Sequence, residues 1–325
     1  MNEISNQKKK ILILTSFNEK CLKEYAKDFL NTYNLPFDLV IYSEDELDLS
    51  EFKIKNLKLE NLYDDKEFEK FIKSDPPEEF TSRRSSKKCN KNCPDYCFEH
   101  QFNIDKKVSK NKRCKKAVNQ LKKNGIEIPT CFNSRVSAID GLCLKCLGPE
   151  NHSKECKKFS FKVFSQKNAI SKYKNDYEYL LWIDADCIFN DVPTDEFYNL
   201  VKTTIEDKMI GFMRRPTYSE CGFLIYNLNH QYLTEYYDSV SNIYLSNEIY
   251  YTQQNHDSFI MDLIRERIEK KYKTKIHVDI ALPGKNNGIK CDKKGNILEL
   301  TKFVRYFYHH KGDKKFLSLE EKKLK

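Results

Sequence analysis

The chain has 325 residues and a mass of 38.7 kDa, enough to bury a core in one large domain or two smaller ones. Charged residues make up 32% of it and the net charge is +9, with lysine spread along the whole length; that pattern excludes a single basic arm and fits an anionic small substrate or weak affinity for polyanions, without naming a partner. The apolar run behind the first lysines, Ile11 to Leu14, is too short for a signal-peptide core or a membrane span, so the expectation is a soluble cytoplasmic protein that keeps its 12 cysteines reduced.

In chain order, KKILILTSF (9–17) is consecutively apolar rather than alternating, as in a strand covered on both faces. Leu22, Tyr25, Ala26, Phe29, Leu30 and Tyr33 then recur at three- and four-residue steps, the stripe of a helix that Asn34 to Pro36 ends. FDLVIYSED (37–45) is a second strand, and strand, helix, strand in this space predicts a βαβ unit with a parallel pair. Residues 45–80 turn acidic and then turn-rich. Residues 85–157 are basic, Cys-rich and poor in apolar periodicity, which predicts an inserted module dividing an α/β domain into 1–84 and 158–325. Beyond it, FSQKNAISKY (164–173) reads as a helix and YEYLLWIDADCIF (177–189) as the next buried strand. KMIGFMRR (208–215) and CGFLIYNLN (221–229) read as further strands. Helices are expected at 230–246 and 256–271, the second with Phe259, Ile260, Leu263, Ile264 and Ile268 on one face.

Within the 177–189 strand, Tyr179 to Ile183 are apolar and Asp184 and Asp186 follow one residue apart. In an open α/β sheet, residues just past the carboxyl end of a buried strand are the ones delivered to a ligand. Two carboxylates this close repel unless something positive lies between them, and a hard divalent cation supplies that charge while gripping phosphate oxygens. The chemistry this suits is departure of a nucleoside diphosphate. With 48 acidic residues a D-x-D triplet also arises by chance, as solvated loop residues.

LLWIDADCIF resembles the DxD segment of GT-A glycosyltransferases, metal-dependent enzymes that transfer sugars from nucleotide donors, and other pieces fall in the order such enzymes show. FSQKNAI is similar to the segment that places a basic residue near the donor, YSECGFLIYNLNH to the sugar pocket, NHDSFIMD to the acceptor-side helix start, and YHHKGDKK to the closing metal and phosphate segment. The nearest resemblance is to the glycogenin-like group and related viral and bacterial proteins. It extends over 159–316 and, more faintly, 10–50, and leaves out the Cys-rich module.

The resemblance implies a GT-A-like fold, a mixed and mainly parallel sheet flanked by helices, and a Mn2+ or Mg2+ ion held by Asp184, Asp186 and His309. His309, Gly312 and Lys315 keep the group's closing spacing, with Gly312 letting backbone approach the diphosphate and Lys315 pairing with it; His310 is the competing metal ligand. Lys167 would contact the donor or, alternatively, be an exposed helix lysine. Glu220 would face the donor sugar and Asp257 the reacting sugar or the acceptor hydroxyl, with Gly222 leaving room for the ring, although Glu220 could be an ordinary loop carboxylate and Asp257 a first-turn residue complementing the helix dipole. The closing motif leans towards retention of anomeric configuration; if the enzyme inverts, Asp257 is the candidate base.

The module itself holds Cys89, Cys93, Cys97, Cys114, Cys131, Cys143, Cys146 and Cys156, with CNKNCPDYC and CLKC spacings that let thiolates turn back onto one tetrahedral ion. Two four-ligand zinc sites would use all eight, with His100 and His152 to spare. Disulfides are disfavoured without a signal peptide, and eight reduced, buried thiols are a third possibility. Zinc is the expectation because so polar a segment has little apolar surface to stabilise it.

The sequence thus predicts a metal-dependent glycosyltransferase moving a sugar from a nucleotide-diphosphate donor, UDP-linked by preference, to a glycan, protein or small-molecule hydroxyl. Two rivals stand beside it. A sugar-nucleotide nucleotidyltransferase should carry a Gly-rich phosphate loop after its first strand, which TSFNEKC lacks. A zinc-stabilised module binding nucleic acid or protein leaves Asp184 and Asp186 without a purpose.

Overall fold

The computed structural model describes residues 9–76, 149–215, 218–252, 256–281, 297–310 and 312–323. Seven strands among them form one sheet in the order β3 (Leu57–Asn61), β2 (Asp38–Ser43), β1 (Lys9–Ser16), β4 (Tyr177–Ile183), β7 (Glu220–Asn227), β6 (Ile210–Met213) and β8 (His277–Asp279). β1 pairs in parallel with β2 and β4, and β2 with β3; β7 is antiparallel to β4 and β6, and β8 returns parallel to β6. The class is α/β with a mixed, mainly parallel sheet.

Strand periodicity divides the core into two layers. Leu12, Leu14, Leu180, Trp182, Leu224 and Tyr226 face one cluster, while Ile11, Ile13, Leu181, Ile183, Phe223 and Ile225 face the other. The first cluster is covered by α3 (Lys66–Lys73), α4 (Pro149–Tyr173), α6 (Leu233–Leu245) and α7 (Asp257–Tyr272). The second is covered by the early helical segment and by α5 (Phe197–Ile205). Both faces are therefore buried, which is why the strands read as unbroken apolar runs. Aromatic rings dominate the first layer: Phe68, Phe164 and Tyr244 are fully buried and in mutual edge or tilted contact through Phe164, each burial contributing roughly 1.5–3 kcal/mol.

Several elements depart from the sequence reading. The first helix is not continuous: α1 (Glu19–Cys21) passes through a π-helical stretch (Leu22–Ala26) into α2 (Lys27–Thr32). β3 and α3 lie in the 45–80 segment, where acidic side chains hide their short apolar patterns; Asp65 caps α3 by accepting from the N–H groups of Glu67 and Phe68. The predicted 177–189 strand is two strands. β4 stops at Ile183, the backbone turns with Cys187 N–H donating to Asp184 O at 3.0 Å, and β5 (Cys187–Phe189) pairs antiparallel with β9 (Phe307–His309) in a separate ribbon.

The end of the predicted insertion, residue 157, falls inside α4, which runs unbroken from Pro149. Cys156 lies there, enclosed in the same core cluster as Val163 and Phe164. Cys89, Cys93, Cys97, Cys114, Cys131, Cys143 and Cys146 lie outside the described residues, as does His100. Among the described residues no helix is long and apolar enough to cross a membrane.

Candidate active site

A cleft of about 550 Å³ opens at the carboxyl ends of the parallel strands. Ser16 at the end of β1 with Phe17 and Asn18, Ser43 at the end of β2 with Glu44, and Trp182 of β4 with Asp184 to Asp186 beyond it form its floor. Phe161 and Lys162 of α4 line one wall, and Glu220 to Gly222 with Asp257 and Ser258 another. This is where a doubly covered parallel sheet leaves unpaired strand ends facing solvent, and so where a ligand meets the backbone.

Asp184 and Asp186 leave β4 in different directions. Asp184 turns towards α4: its Oδ1 accepts from Trp182 Nε1 at 2.6 Å and lies 2.8 Å from Lys162 Nζ. Its N–H donates to Gly222 O at 2.9 Å, tying the end of β4 to β7. Asp186 turns towards the ribbon, where its Oδ1 is 2.8 Å from His309 Nε2. The β5–β9 ladder sets that distance by pairing Cys187 with His309, and the His310 N–H donates to Asp186 O at 3.1 Å. His309 Nε2 is also 3.9 Å from Asp184 Oδ2, so one imidazole faces both carboxylates. The neighbouring His310 is buried against Tyr308, ring centroids 4.9 Å apart.

Gly222 belongs to this cluster for a reason the sequence does not display. A Cβ there would stand 2.4 Å from His309 Cε1 and 3.1 Å from Asp184 Oδ2, so the missing side chain makes room for the imidazole. The expected space for a sugar ring is, at that atom, space for His309. Gly312 is different: its φ of +60° is the left-handed region that favours glycine, and a Cβ would meet open space. Lys315 follows in the same 3-10 turn, Gly312–Phe316, whose Phe316 packs edge-on against Tyr25 at the cleft.

Lys162 is one residue that sequence reasoning missed. Its ammonium lies 2.8 Å from Asp184 Oδ1 and 3.2 Å from Asp257 Oδ2, donates to Cys221 O at 3.1 Å, and stands over the Trp182 ring. Burial alone would lower its pKa, but Asp184 and Asp257 outweigh that and raise it, so the ammonium stays charged. Burial likewise pushes the Asp184 carboxyl up, and Lys162 followed by His309 overcomes it, holding the group below the ordinary carboxylate value. Lys167, expected at the donor, lies five residues further along α4 on another face, with its Nζ 2.8 Å from Glu67 of α3. Lys162 is half-buried to the same degree as Lys167 of the same helix; what sets it apart is its pairing with two carboxylates of the cleft, and that pairing is not written in the local sequence.

Asp257 opens α7 and is buried, with Oδ1 accepting from Ser258 N–H and Oδ2 on Lys162. Both sequence readings of it are compatible with this place, because the helix N-terminus and the cleft coincide. Glu220 is buried too, paired with Arg215 and accepting from Gly222 N–H at 3.1 Å.

The donor set suits a divalent cation. Asp186 Oδ1 is buried and receives no hydrogen bond from a described residue, and it faces an imidazole nitrogen with a second carboxylate beyond. Asp186, Cys187 and His309 bring three potential ligand atoms within 4.8 Å of one another. Five carboxylates line the cleft, Glu44, Asp184, Asp186, Glu220 and Asp257; Lys158, Lys162 and the Arg215 beside Glu220 leave two negative charges in excess. A dication would neutralise that excess.

No protein-family model matches the sequence, and no curated protein matches it. The solved structures to which the chain is similar include the apo form of mouse xyloside xylosyltransferase 1, with a TM-score of 0.44 at 9% identity over 95% of this chain and 99% of that one. The glycosyltransferase GlyE of Streptococcus pneumoniae TIGR4 has a TM-score of 0.38 at 10% identity, over 94% of this chain and 56% of GlyE. The galactosyltransferase LgtC, in complex with donor and acceptor sugar analogs, has a TM-score of 0.31 at 9% identity, over 78% of this chain and 70% of LgtC. All three are glycosyltransferases, and with every TM-score below 0.5 these likenesses assign the chain neither a family nor an activity.

Proposed function

We propose that the chain is a metal-dependent glycosyltransferase of GT-A type, moving a sugar from a nucleotide-diphosphate donor, UDP-linked, to an acceptor hydroxyl. The observation that carries this reading is the split of the two aspartates. One is held against His309 by the β5–β9 ribbon, and the other is clamped by Lys162 at the end of β4. Paired carboxylates beside an imidazole make a cation site, and the half-buried Lys162, shared between Asp184 and one further carboxylate, Asp257, makes a polar pocket next to it.

In this reading Asp186 and His309, together with Asp184, would hold Mn2+ or Mg2+. When bound, the cation neutralises the charge that develops on the departing nucleoside diphosphate. Asp184 is kept ionised by Lys162, so it enters the reaction as a carboxylate. Lys162 fixes Asp184 and Asp257 relative to each other, and Asp257 with Glu220 orients donor-sugar hydroxyls. Gly312 and Lys315 close on the diphosphate from the tail. Asp257 has both oxygens engaged, by Ser258 N–H and by Lys162, which suits a positioning group better than a base and supports retention of configuration.

The experiment is calorimetric titration of UDP, GDP and CDP into the full chain with and without Mn2+, repeated on Asp186→Ala. Binding of one nucleotide that needs Mn2+ and disappears in the variant is the expected result. Absence of any nucleotide binding by folded protein overturns the reading.

A further inference from the structure

Cys187 is the residue immediately after the second aspartate, and nothing in the proposed reaction uses it. It is 1% exposed and pairs directly with His309 across the β5–β9 ladder. Directly paired residues of an antiparallel ladder project from the same face, with Cβ atoms about 4.5–5.5 Å apart. The thiol and the imidazole are therefore neighbours by construction of the ribbon, and the Cys187 sulfur, an Asp186 carboxylate oxygen and a His309 ring nitrogen lie within 4.8 Å of one another. Asp184 is not in that grouping; its nearest approach to His309 Nε2 is 3.9 Å.

We propose that Cys187 is a third protein ligand of the cation held by Asp186 and His309, giving an oxygen, nitrogen and sulfur donor set that selects a thiophilic divalent ion over Mg2+. The inference rests on the metal site of the proposed function and adds its ligand and its preference. Carboxylate and water oxygens suit Mg2+, whereas a thiolate is a soft donor that Mg2+ does not favour and that Zn2+, Co2+ and Cd2+ do. Binding displaces the thiol proton to solvent, so the sulfur meets the dication as thiolate. Burial in the same cluster as Phe189 and Phe307 keeps the thiol from bulk oxidants.

The test titrates Co2+ and Cd2+, each alone, into the full chain, its Cys187→Ser and Cys187→Ala variants, and His309→Ala. Circular dichroism and a thermal melt confirm that each variant is folded. The readout is the sulfur-to-metal charge-transfer absorbance in the wild-type-minus-variant difference spectrum, in which any contribution of the other cysteines cancels. A difference band saturating at one metal per chain is expected, with Cd2+ affinity falling at least about tenfold in both Cys187 variants, the loss that even an outer partner of a metal site produces. Mg2+ affinity is expected to change less than Cd2+ affinity. Metal binding that depends on His309 but gives no difference band makes Cys187 a packed core thiol and overturns the inference while leaving the metal site standing. Binding indifferent to His309→Ala and Cys187→Ser alike overturns the metal site itself, and the inference with it.

Discussion

Two clusters of cations and carboxylates lie along α7, and they differ in what they leave open. At its start, Lys162 joins Asp257 and Asp184, and all three line the cleft. Two to three turns on, Arg265 reaches Asp262, Glu266 and Glu269; Glu269 also meets His277 at 2.5 Å, and Asp262 accepts from the N–H and hydroxyl of Ser219. No lining residue of the cleft belongs to the second cluster. The same chemistry therefore stands in two settings: a closed network ties α7 to β8 and to the approach to β7, while an open one lines the cleft. Burial of ion pairs alone does not mark a functional site, since a buried pair is weak evidence even for stability.

Mutation separates the two. Lys162→Met leaves Asp184 and Asp257 facing each other without a cation, and is expected to abolish Mn2+-dependent nucleotide binding and to destabilise by about 3 kcal/mol, checked by calorimetry and urea unfolding. Gly222→Ala forces His309 aside and is expected to weaken Mn2+ binding at least about tenfold, while an overpacking cost of about 1–3 kcal/mol lowers stability. Arg265→Met is the mirror case: stability falls by about 3 kcal/mol in the same urea titration, yet nucleotide affinity of the folded protein stays within about twofold. If Arg265→Met weakens the nucleotide as much as Lys162→Met does, the division between open and closed clusters is wrong.

A smaller effect follows from pH. Burial raises the Glu269 carboxyl, but His277 and Arg265 more than compensate and hold it below its ordinary value of 4.5. A depressed folded pKa contributes stability that is present above the unfolded value and is lost as pH falls through the folded one. Glu269→Gln should therefore be less stable than wild type at neutral pH, and the gap should narrow as pH drops below about 4.5, measured by thermal melts across that range. The smallest change is expected of Lys167→Ala. It removes a surface pair with Glu67 and should shift stability by no more than about 0.5 kcal/mol and donor affinity by less than about twofold.

The cleft's two halves were not equally legible. Asp184 and Asp186 could be picked out because an unbroken apolar run precedes them, and His309, which meets both, because its spacing to Gly312 and Lys315 matches a known closing motif; those two are not among the residues that line the cleft. Lys162 could not, because a helix that also carries Lys157, Lys158, Lys167 and Lys172 gives each lysine the same local appearance. Arg215 and Cys187 were missed likewise: the first acquires meaning from its pairing with Glu220, the second from standing opposite His309. The interruption of 177–189 into two strands was hidden because the two aspartates occupy only three residues between apolar stretches, and periodicity over so short a gap does not register a change of sheet.

The sequence alone determined that this chain builds a doubly covered, mainly parallel sheet, since consecutive apolar strands and striped helices bury favourably in no other layering, and that paired carboxylates emerge at a strand end. What tertiary structure decided is which charges meet. Long-range partners such as Lys162 with Asp184, Gly222 with His309, and Cys187 with His309 are set by how α4 and the β5–β9 ribbon pack against the sheet, and close approach across a fold is a property of that packing rather than of any local run of residues.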